Sequence, residues 1–336
     1  MDTPLVSVVV VAREGFDKAP ACLERLLEAT TTPFRLIYVD GKAPARIARA
    51  IRRLVSRRGG VLIRADRYLR PTYARTLGLR EIETRYTVFL DNDVMVTDGW
   101  LGRLVHCAEE TDAAYVSPVI CLGNRTPPVV HFAGGENRLV EEGGRRHIVV
   151  SYTHQGRPLP DVLGEIDRQP TAMAEFHAIL VRTEALTALG GLDERCSTAF
   201  EHNDLGLSIA ARGGTGWLEP AAVVFYLFDR ATKPANAGYH LVRWSRAWID
   251  ESLDGFCTKW RLRPDDPGLA ASLDSLHGRR RRPLRYLRGL AWRLAHQAGT
   301  DYVDRVADRW VDGVLCKRLD RGNPALTVSR WPGAHG

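Results

Sequence analysis

Four apolar runs rich in β-branched residues alternate with amphipathic segments through the first 90 residues. The first run, Leu5–Ala12, is nearly continuous, which is typical of a strand buried on both faces of a parallel sheet. The other strands are predicted at 34–39, 61–63 and 87–90, and the helices at 20–28, 44–58 and 71–82. This β-α-β-α-β-α-β order predicts an α/β fold with a Rossmann-like, doubly wound and mostly parallel sheet.

Two carboxylates, Asp91 and Asp93, follow the fourth of these strands and are separated only by Asn92. Because side chains alternate along a strand, both carboxylates can point to the same side, where they repel each other unless a positive charge is near. One interpretation is a Mg²⁺ or Mn²⁺ ion that bridges to the phosphates of a nucleotide. The other is a β-hairpin in which Asp-Asn-Asp is the turn between 88–90 and 94–96.

A third acidic residue, Asp40, ends the second predicted strand. Ligands of doubly wound sheets bind outside the carboxyl ends of the strands, so Asp40 and Asp91 are both expected at the functional edge. That placement weakens the hairpin interpretation. The sequence has neither a G-x-G-x-x-G nor a Walker pattern, so dehydrogenase and P-loop kinase functions lose most of their support. The remaining interpretation is a nucleotide that carboxylates and a metal ion hold in place.

Composition narrows the expected partners and the expected location of the protein. The chain has 47 Lys and Arg against 40 Asp and Glu, and the net charge of +7 favours phosphate-bearing or anionic partners. No run of about 18 apolar residues predicts a membrane span, and no signal peptide is visible. The six scattered cysteines argue against a cysteine-based zinc site and against a disulfide framework, so we expect a cytoplasmic protein.

The order of these motifs resembles that of glycosyltransferases with the GT-A fold, particularly the inverting family 2 type. Those enzymes open with a Val-rich strand, place an acid after the second strand and carry an Asp-x-Asp motif after the fourth. Residues 5–12, Asp40 and Asp91–Asp93 match these features. The segment Ala74–Leu79 stands where the family has Ala-x-x-Asn-x-Gly-Leu, with Thr76 near the usual Asn.

The resemblance continues to about residue 262. Gly190–Glu194 resembles the family's Gly-Gly-Phe-Asp-Glu, Glu201–Asp204 stands in place of Glu-Asp-x-Asp, and Phe256–Trp260 resembles Phe-x-x-Lys-Trp. It implies a metal-dependent, inverting transfer of sugar from a nucleotide-diphospho-sugar donor, with Mn²⁺ or Mg²⁺, to an acceptor hydroxyl. A sugar nucleotidyltransferase of related fold and a non-catalytic nucleotide-sugar-binding protein are the alternatives.

The resemblance also implies roles on the donor side. Asp93 is expected on the metal, and Asp91 on the metal or the ribose. The third metal ligand is open between Tyr226 and His240. The other expected donor contacts are Arg13, Asp40, Arg75 and Asn92.

The catalytic base is sought within residues 201–204. His202 holds the family position of the base, and an ordinary histidine pKa of about 6.5 suits proton abstraction near neutrality. Glu201 is the alternative base, and Asp204 is either catalytic or a first-turn residue that compensates the helix dipole. Glu175 and His177, at the start of a predicted strand, are candidate acceptor contacts. The acceptor is open among a glycan, a lipid-linked sugar and a small natural product.

The composition shifts at the Pro-Asp-Asp-Pro-Gly stretch that begins at Pro264. We therefore predict a GT-A domain at 1–263 and a helical extension at 264–336. Within the domain, 1–110 is the nucleotide-sugar-binding half and 111–263 the acceptor half.

The extension contains an arginine-rich helix predicted at 279–294 and an amphipathic helix predicted at 302–319. Two uses are open for these helices. They can lie on the anionic inner face of a membrane, consistent with a lipid-linked acceptor, or they can form a homodimer or pack on the catalytic domain. Nucleic-acid binding is not expected, because no recognised motif accompanies the charge.

Overall fold

The computed structural model describes residues 4–12, 14–123, 125–229 and 232–332, with only the helical backbone at 271, 274, 275 and 277. The strands are β1 (Val6–Val11), β2 (Phe34–Asp40), β3 (Val61–Ala65), β4 (Tyr86–Asp91), β5 (Val94–Val96), β6 (Tyr115–Leu122), β7 (Val129–Phe132), β8 (Gly135–Glu142), β9 (Arg145–Tyr152), β10 (Gln169–Pro170), β11 (Ala178–Arg182), β12 (Gly216–Tyr226) and β13 (Leu326–Arg330).

The helices are α1 (Ala19–Ala29), α2 (Ala45–Arg58), α3 (Pro71–Leu79), α4 (Trp100–Thr111), α5 (Leu159–Val162), α6 (Thr183–Leu189), α7 (Glu201–Ala210), α8 (Pro234–Arg243), α9 (Arg246–Trp260), α10 (Pro267–Arg279), α11 (Arg285–Trp310) and α12 (Lys317–Leu319). Short 3-10 helices lie at Leu163–Glu165 and Arg282–Leu284, and a π-helix at Val311–Cys316. The predicted β-α-β-α-β-α-β order up to Asp91 is confirmed.

Eleven of the described strands form one sheet, in the order β10-β12-β6-β11-β4-β1-β2-β3-β13, with β5 paired to β12 and β7 to β6. β1 runs parallel to both β2 and β4, and β2 runs parallel to β3. β11 lies antiparallel between β4 and β6. The predicted doubly wound, mostly parallel α/β sheet is therefore confirmed.

The run of valines in β1 is buried on both faces of this sheet. Val8 and Val10 pack in a core that includes side chains of α1, α2 and α4, whereas Val9 and Val11 pack in a second core that includes α3, α6 and α7. Full burial of such side chains contributes about 1.5–3 kcal/mol each. The continuous apolar pattern of the sequence thus reflects a strand between two helical layers.

The hairpin alternative for 88–96 is excluded. β5 pairs antiparallel with the end of β12, where Val94 lies opposite Tyr226, while β4 pairs with β1 and β11. Asp91 therefore ends a central strand, and the residues after it pair with β12 instead of folding back on β4.

The C-terminal segment differs from its prediction in two ways. The helix predicted over 279–294 is confirmed only from Arg285, where α11 begins. α10 ends at Arg279, and Pro283, which has no N–H to donate, lies in the 3-10 helix between the two. α11 itself changes direction at Ala295 and His296, whose backbone angles are not helical. Strand β13, which the sequence did not predict, pairs antiparallel with β3. The division of the chain into domains stays a prediction.

Within the described residues, no helix combines the length and the apolar character needed to cross a membrane. All six cysteines are free thiols and buried.

Candidate active site

A main cavity of about 500 Å³ opens where β6 and β12 end, between β7, the start of α7 and the C-terminal segment. Its lining brings together four of the predicted site residues, Glu175, His177, Glu201 and His202, with Tyr226 beside them. These residues come from segments far apart in the sequence. The structure therefore unites the candidate acceptor contacts and the candidate bases in one site.

His202 and Glu201, in the first turn of α7, lie in different surroundings. His202 is half-buried, and its Nε2 lies 3.5 Å from the hydroxyl of Tyr152. Glu201 is only 4% exposed and its carboxylate lies 3.7 Å from Nη1 of Arg75. His202 is thus the more accessible of the two to a substrate in the main cavity.

Arg75 connects the Asp-x-Asp strand to α7. Its side chain is completely buried, its Nη2 donates to Oδ1 of Asp91 over 3.2 Å, and its guanidinium stacks on Phe176 at 4.1 Å. With Glu201 on Nη1, one guanidinium thus faces two carboxylates. Arg75 therefore supplies at least part of the positive charge expected beside Asp91. The sequence had instead predicted that Arg75 contacts the donor.

Asp40 is held at the end of β2 by the backbone N–H of Ala43, 2.7 Å away, and by the Arg64 guanidinium. Burial raises the pKa of the Asp40 carboxyl above its ordinary value of 3.8, although both partners act in the opposite direction. Asn92 is also buried, and its N–H donates to the carbonyl of Val11 over 2.9 Å.

Asp93 is buried against Gly15, which has a φ of +59°. A Cβ at position 15 would lie 2.7 Å from Oδ2 of Asp93, so the close approach of this backbone requires glycine. Arg13, predicted to contact the donor, lies outside the described residues. Glu14, Asp229 and His240 line the same small space as Asp93.

The assignment of His240 as a metal ligand stays a prediction. Its Nε2 lies 2.9 Å from the carbonyl of Arg279 and its Nδ1 lies 3.6 Å from the carboxylate of Glu14, so both ring nitrogens face other groups. Although burial alone would raise it, the pKa of Glu14 lies well below its ordinary value, because His240, Arg243 and Arg279 surround it.

Asp204 lines a second cavity, of about 350 Å³, and does not line the main cavity. Its carboxylate accepts hydrogen bonds from Nζ of Lys259 and Nε1 of Trp260, each over 2.8 Å. Burial raises the pKa of Asp204 despite the adjacent ammonium. The Lys-Trp motif therefore anchors Asp204 in the fold, which favours the structural interpretation over catalysis.

Sequence reasoning missed His131 and Tyr152. His131 lies on β7, 44 residues before Glu175, and no local pattern marks it. Yet one ligand atom each from His131, Glu175 and His177 lie within 4.8 Å of one another. Among the residues that the structure describes, this is the only group of three acidic, cysteine or histidine side chains with such spacing.

Residues 7–148 match the sequence model of glycosyl transferase family 2. This part of the chain is similar to a glycosyltransferase family 2 domain. The matched residues run from β1 through the Asp-x-Asp strand to β9, so the predicted resemblance to a family 2-like glycosyltransferase is confirmed. No curated protein matches the sequence.

Solved structures similar to this chain include GalNAc-T7 with UDP, GalNAc and Mn²⁺ (16% identity, TM-score 0.52, 82% of this chain and 54% of that one). A mannosyltransferase, PcManGT from Pyrobaculum calidifontis, in complex with GDP-Man and Mn²⁺, is 15% identical with a TM-score of 0.50, over 95% and 85% of the chains. S. aureus TarS is 12% identical with a TM-score of 0.51, over 82% and 43%.

At these identities the solved structures establish the fold, which is the GT-A fold expected from the sequence. The chain spans about half of the length of GalNAc-T7 and less than half of TarS.

Proposed function

We propose that this chain is an inverting glycosyltransferase that moves a sugar from a nucleotide-diphospho-sugar to an acceptor hydroxyl with the help of a divalent metal ion. The observation that carries the proposal is the placement of His202 in a cavity that Arg75 and Glu201 connect to the Asp-x-Asp strand of a family 2 domain. Nucleotides and Mn²⁺ in two of the similar structures support the donor class and the metal.

His202 is the base in this proposal. As the acceptor oxygen attacks the anomeric carbon, His202 takes the hydroxyl proton, and the bond from that carbon to the diphosphate oxygen breaks on the opposite face. Glu201, buried and paired with Arg75, holds the start of α7 in place. The half-buried imidazole of His202 lies beside the Tyr152 hydroxyl and lines the main cavity, where an acceptor hydroxyl can reach it.

The leaving diphosphate needs compensating positive charge. Asp93, with Asp91, would hold the divalent ion, since carboxylate oxygens suit Mg²⁺ and Mn²⁺. The bound ion would neutralise charge on the departing nucleoside diphosphate. Arg279 and Arg282 line the main cavity as well, and they add positive charge on the side of the C-terminal segment.

Thermal unfolding with UDP, GDP and dTDP, each with and without Mn²⁺, tests the donor class. The correct nucleotide at 100 times its dissociation constant stabilises the fold by about 2.7 kcal/mol. The stabilisation should require Mn²⁺ and should be lost in Asp93→Asn but kept in Asp98→Asn, whose side chain is exposed. If none of the nucleotides raises the melting temperature and none of their sugar conjugates is consumed, the proposal fails.

We also propose that the C-terminal segment contacts an anionic membrane from the cytoplasmic side, next to a lipid-linked acceptor. The stretch 279–296, called the basic segment below, contains seven arginines and no acidic residue. Large apolar side chains stand exposed on the same stretch, among them Tyr286, Leu287, Leu290 and Leu294. Arginines beside exposed apolar side chains are the composition that binds anionic bilayer surfaces.

The charge of the basic segment favours a membrane over a second copy of the chain. Pairing two such segments would bring Arg285 and Arg293 of each copy together, both exposed, with no carboxylate on the segment to separate them. Arg279 and Arg282 belong to this segment and also line the main cavity, so a membrane bound by the segment would lie near the proposed active site.

A further inference from the structure

His131, Glu175 and His177 converge because of how three strands meet. His131 lies on β7, which pairs with the end of β6. The other two residues lead into β11, which pairs with the start of β6 along the same edge, since β12 occupies the opposite edge. Glu175 and His177 are two residues apart in the turn that leads into β11, where the backbone N–H of His177 donates to Oε1 of Glu175 over 3.3 Å. One ligand atom from each of the three residues falls within 4.8 Å of the others.

The surroundings of this group hold its side chains in position. The ring of His177 lies 4.3 Å from that of Tyr226 and 5.0 Å from that of His131, and its Nδ1 is 2.7 Å from Oε1 of Glu175. The carbonyl of His177 accepts the N–H of Asp91 over 3.0 Å, which fixes the group against the Asp-x-Asp strand. Glu175 and His177 are 5% and 6% exposed.

Two imidazoles and one carboxylate are the ligands of an open transition-metal site. Ligand-to-metal distances of about 2.0–2.2 Å place neighbouring ligand atoms roughly 3–3.5 Å apart, which small side-chain rotations can reach from the observed arrangement. Mg²⁺ prefers oxygen, whereas imidazole favours Zn²⁺ and Co²⁺. Three protein ligands leave a coordination position for a substrate.

We propose that His131, Glu175 and His177 form a second metal site, for a divalent ion of the Zn²⁺ or Co²⁺ type, distinct from the Asp-x-Asp site. All three side chains line the main cavity together with His202. A hydroxyl bound to such an ion becomes more acidic, so the site would prepare the acceptor hydroxyl for proton transfer to His202. That role in the reaction rests on the proposed function, whereas metal binding itself does not.

Titration of the metal-stripped full chain with Co²⁺, followed by visible absorption and calorimetry, tests the site without any substrate. We expect one tightly bound Co²⁺ with the absorption of a nitrogen-ligated ion, displaced by Zn²⁺ but not by an equal concentration of Mg²⁺. His131→Ala, Glu175→Gln and His177→Ala should each weaken Co²⁺ binding by about 100-fold or more.

Two controls define the position of the ion. His106→Ala, on an exposed histidine of α4, and Asp93→Asn should leave the Co²⁺ affinity unchanged. Circular dichroism without metal checks that each variant folds. If His177→Ala does not fold, the Co²⁺ affinity of His131→Ala tests the site, since His131 is only half-buried. Absence of Co²⁺ binding in the wild type would overturn the proposal. So would a site lost in Asp93→Asn but kept in His131→Ala.

Failure of this site and failure of the proposed function give different results. His202→Ala should bind Co²⁺ like the wild type even if transfer is abolished. Conversely, normal nucleotide binding and transfer by a chain that binds no Co²⁺ would reject only the second metal site.

Discussion

The guanidinium of Arg75 lies 3.2 Å from the carboxylate of Asp91, and both side chains are completely buried. The first carboxylate of the Asp-x-Asp motif is thus part of the protein interior as well as of the expected metal site. The same guanidinium reaches Glu201, so the Asp-x-Asp strand and α7 share one buried charge.

Replacing Arg75 by Met should lower the free energy of unfolding by about 3–5 kcal/mol, because buried carboxylates lose the cation that faces them. Chemical denaturation measures the change. Arg25→Met is the matched control, since Arg25 pairs with Asp98 over a similar distance of 3.0 Å at the surface and should cost no more than about 1 kcal/mol. Equal effects of the two substitutions would show that the Arg75 pair contributes nothing beyond a surface pair.

Replacing His202 by Ala should reduce kcat by about 10²- to 10⁴-fold, the usual contribution of a general base, and leave donor binding intact. Glu201→Gln should instead reduce stability together with kcat, because it weakens the contact with Arg75. Initial rates and nucleotide titrations separate these effects, with His106→Ala as an exposed histidine control. If Glu201→Gln removes turnover without a loss of stability while His202→Ala is active, Glu201 is the base.

Asp193 makes stability depend on pH. Hydrogen bonds from Arg195, over 3.0 and 2.8 Å, lower the pKa of Asp193 from 3.8 to about 2. A lowered pKa means that the folded chain favours the carboxylate, so this stabilisation is present above pH 3.8 and disappears as the pH falls through about 2. Asp193→Asn should therefore cost about 1–2 kcal/mol near neutrality, after allowance for solvent screening, and progressively less as the pH falls from 3.8 towards about 2.

Denaturation of the wild type and Asp193→Asn across this pH range measures the difference. The exposed Asp98→Asn serves as the control. A stability difference that stays constant down to about pH 2 would contradict the assignment of the effect to ionisation of Asp193.

The basic segment should bind vesicles that contain phosphatidylglycerol and not vesicles of phosphatidylcholine alone. Leu290→Glu combined with Leu294→Glu should remove this binding, whereas Leu163→Glu, at a leucine elsewhere that is about as exposed as Leu290, should not. Each of Arg285→Ala and Arg293→Ala should lower vesicle affinity about 5-fold, since one surface cation contributes about 1 kcal/mol. Co-sedimentation gives the affinities. A dimer in solution without vesicle binding would assign the segment to self-association.

The sequence was sufficient to predict the β1–β4 half of the sheet, because the patterns that indicate its strands and helices are local. Continuous β-branched runs, amphipathic helices and an acid at a strand end are each visible within about ten residues. The close approach of Gly15 to Asp93 is not local in this sense, because it joins the ends of two different strands. Only the structure gives its distance.

The remaining features depend on contacts between distant segments. Nothing near Arg75 in the sequence shows that it is buried, because its partners Asp91 and Glu201 lie 16 and 126 residues away along the chain. His131 joins Glu175 and His177 only because β7 and β11 pair along the same edge of β6. The pairing of β5 with β12 likewise follows from tertiary packing. The turn residues Asp-Asn-Asp, taken alone, favoured a hairpin instead.

Strand β13 has a consequence for any attempt to shorten this protein. It covers the outer edge of β3, and Trp331, just beyond it, donates its N–H to the carbonyl of Gly60 over 3.1 Å. A protein cut at Pro264 would lose more than its helices, because the hydrogen-bonding groups of β3 would be uncovered. Bare strand edges recruit other strands, so the shortened enzyme would tend to aggregate even with its catalytic residues complete.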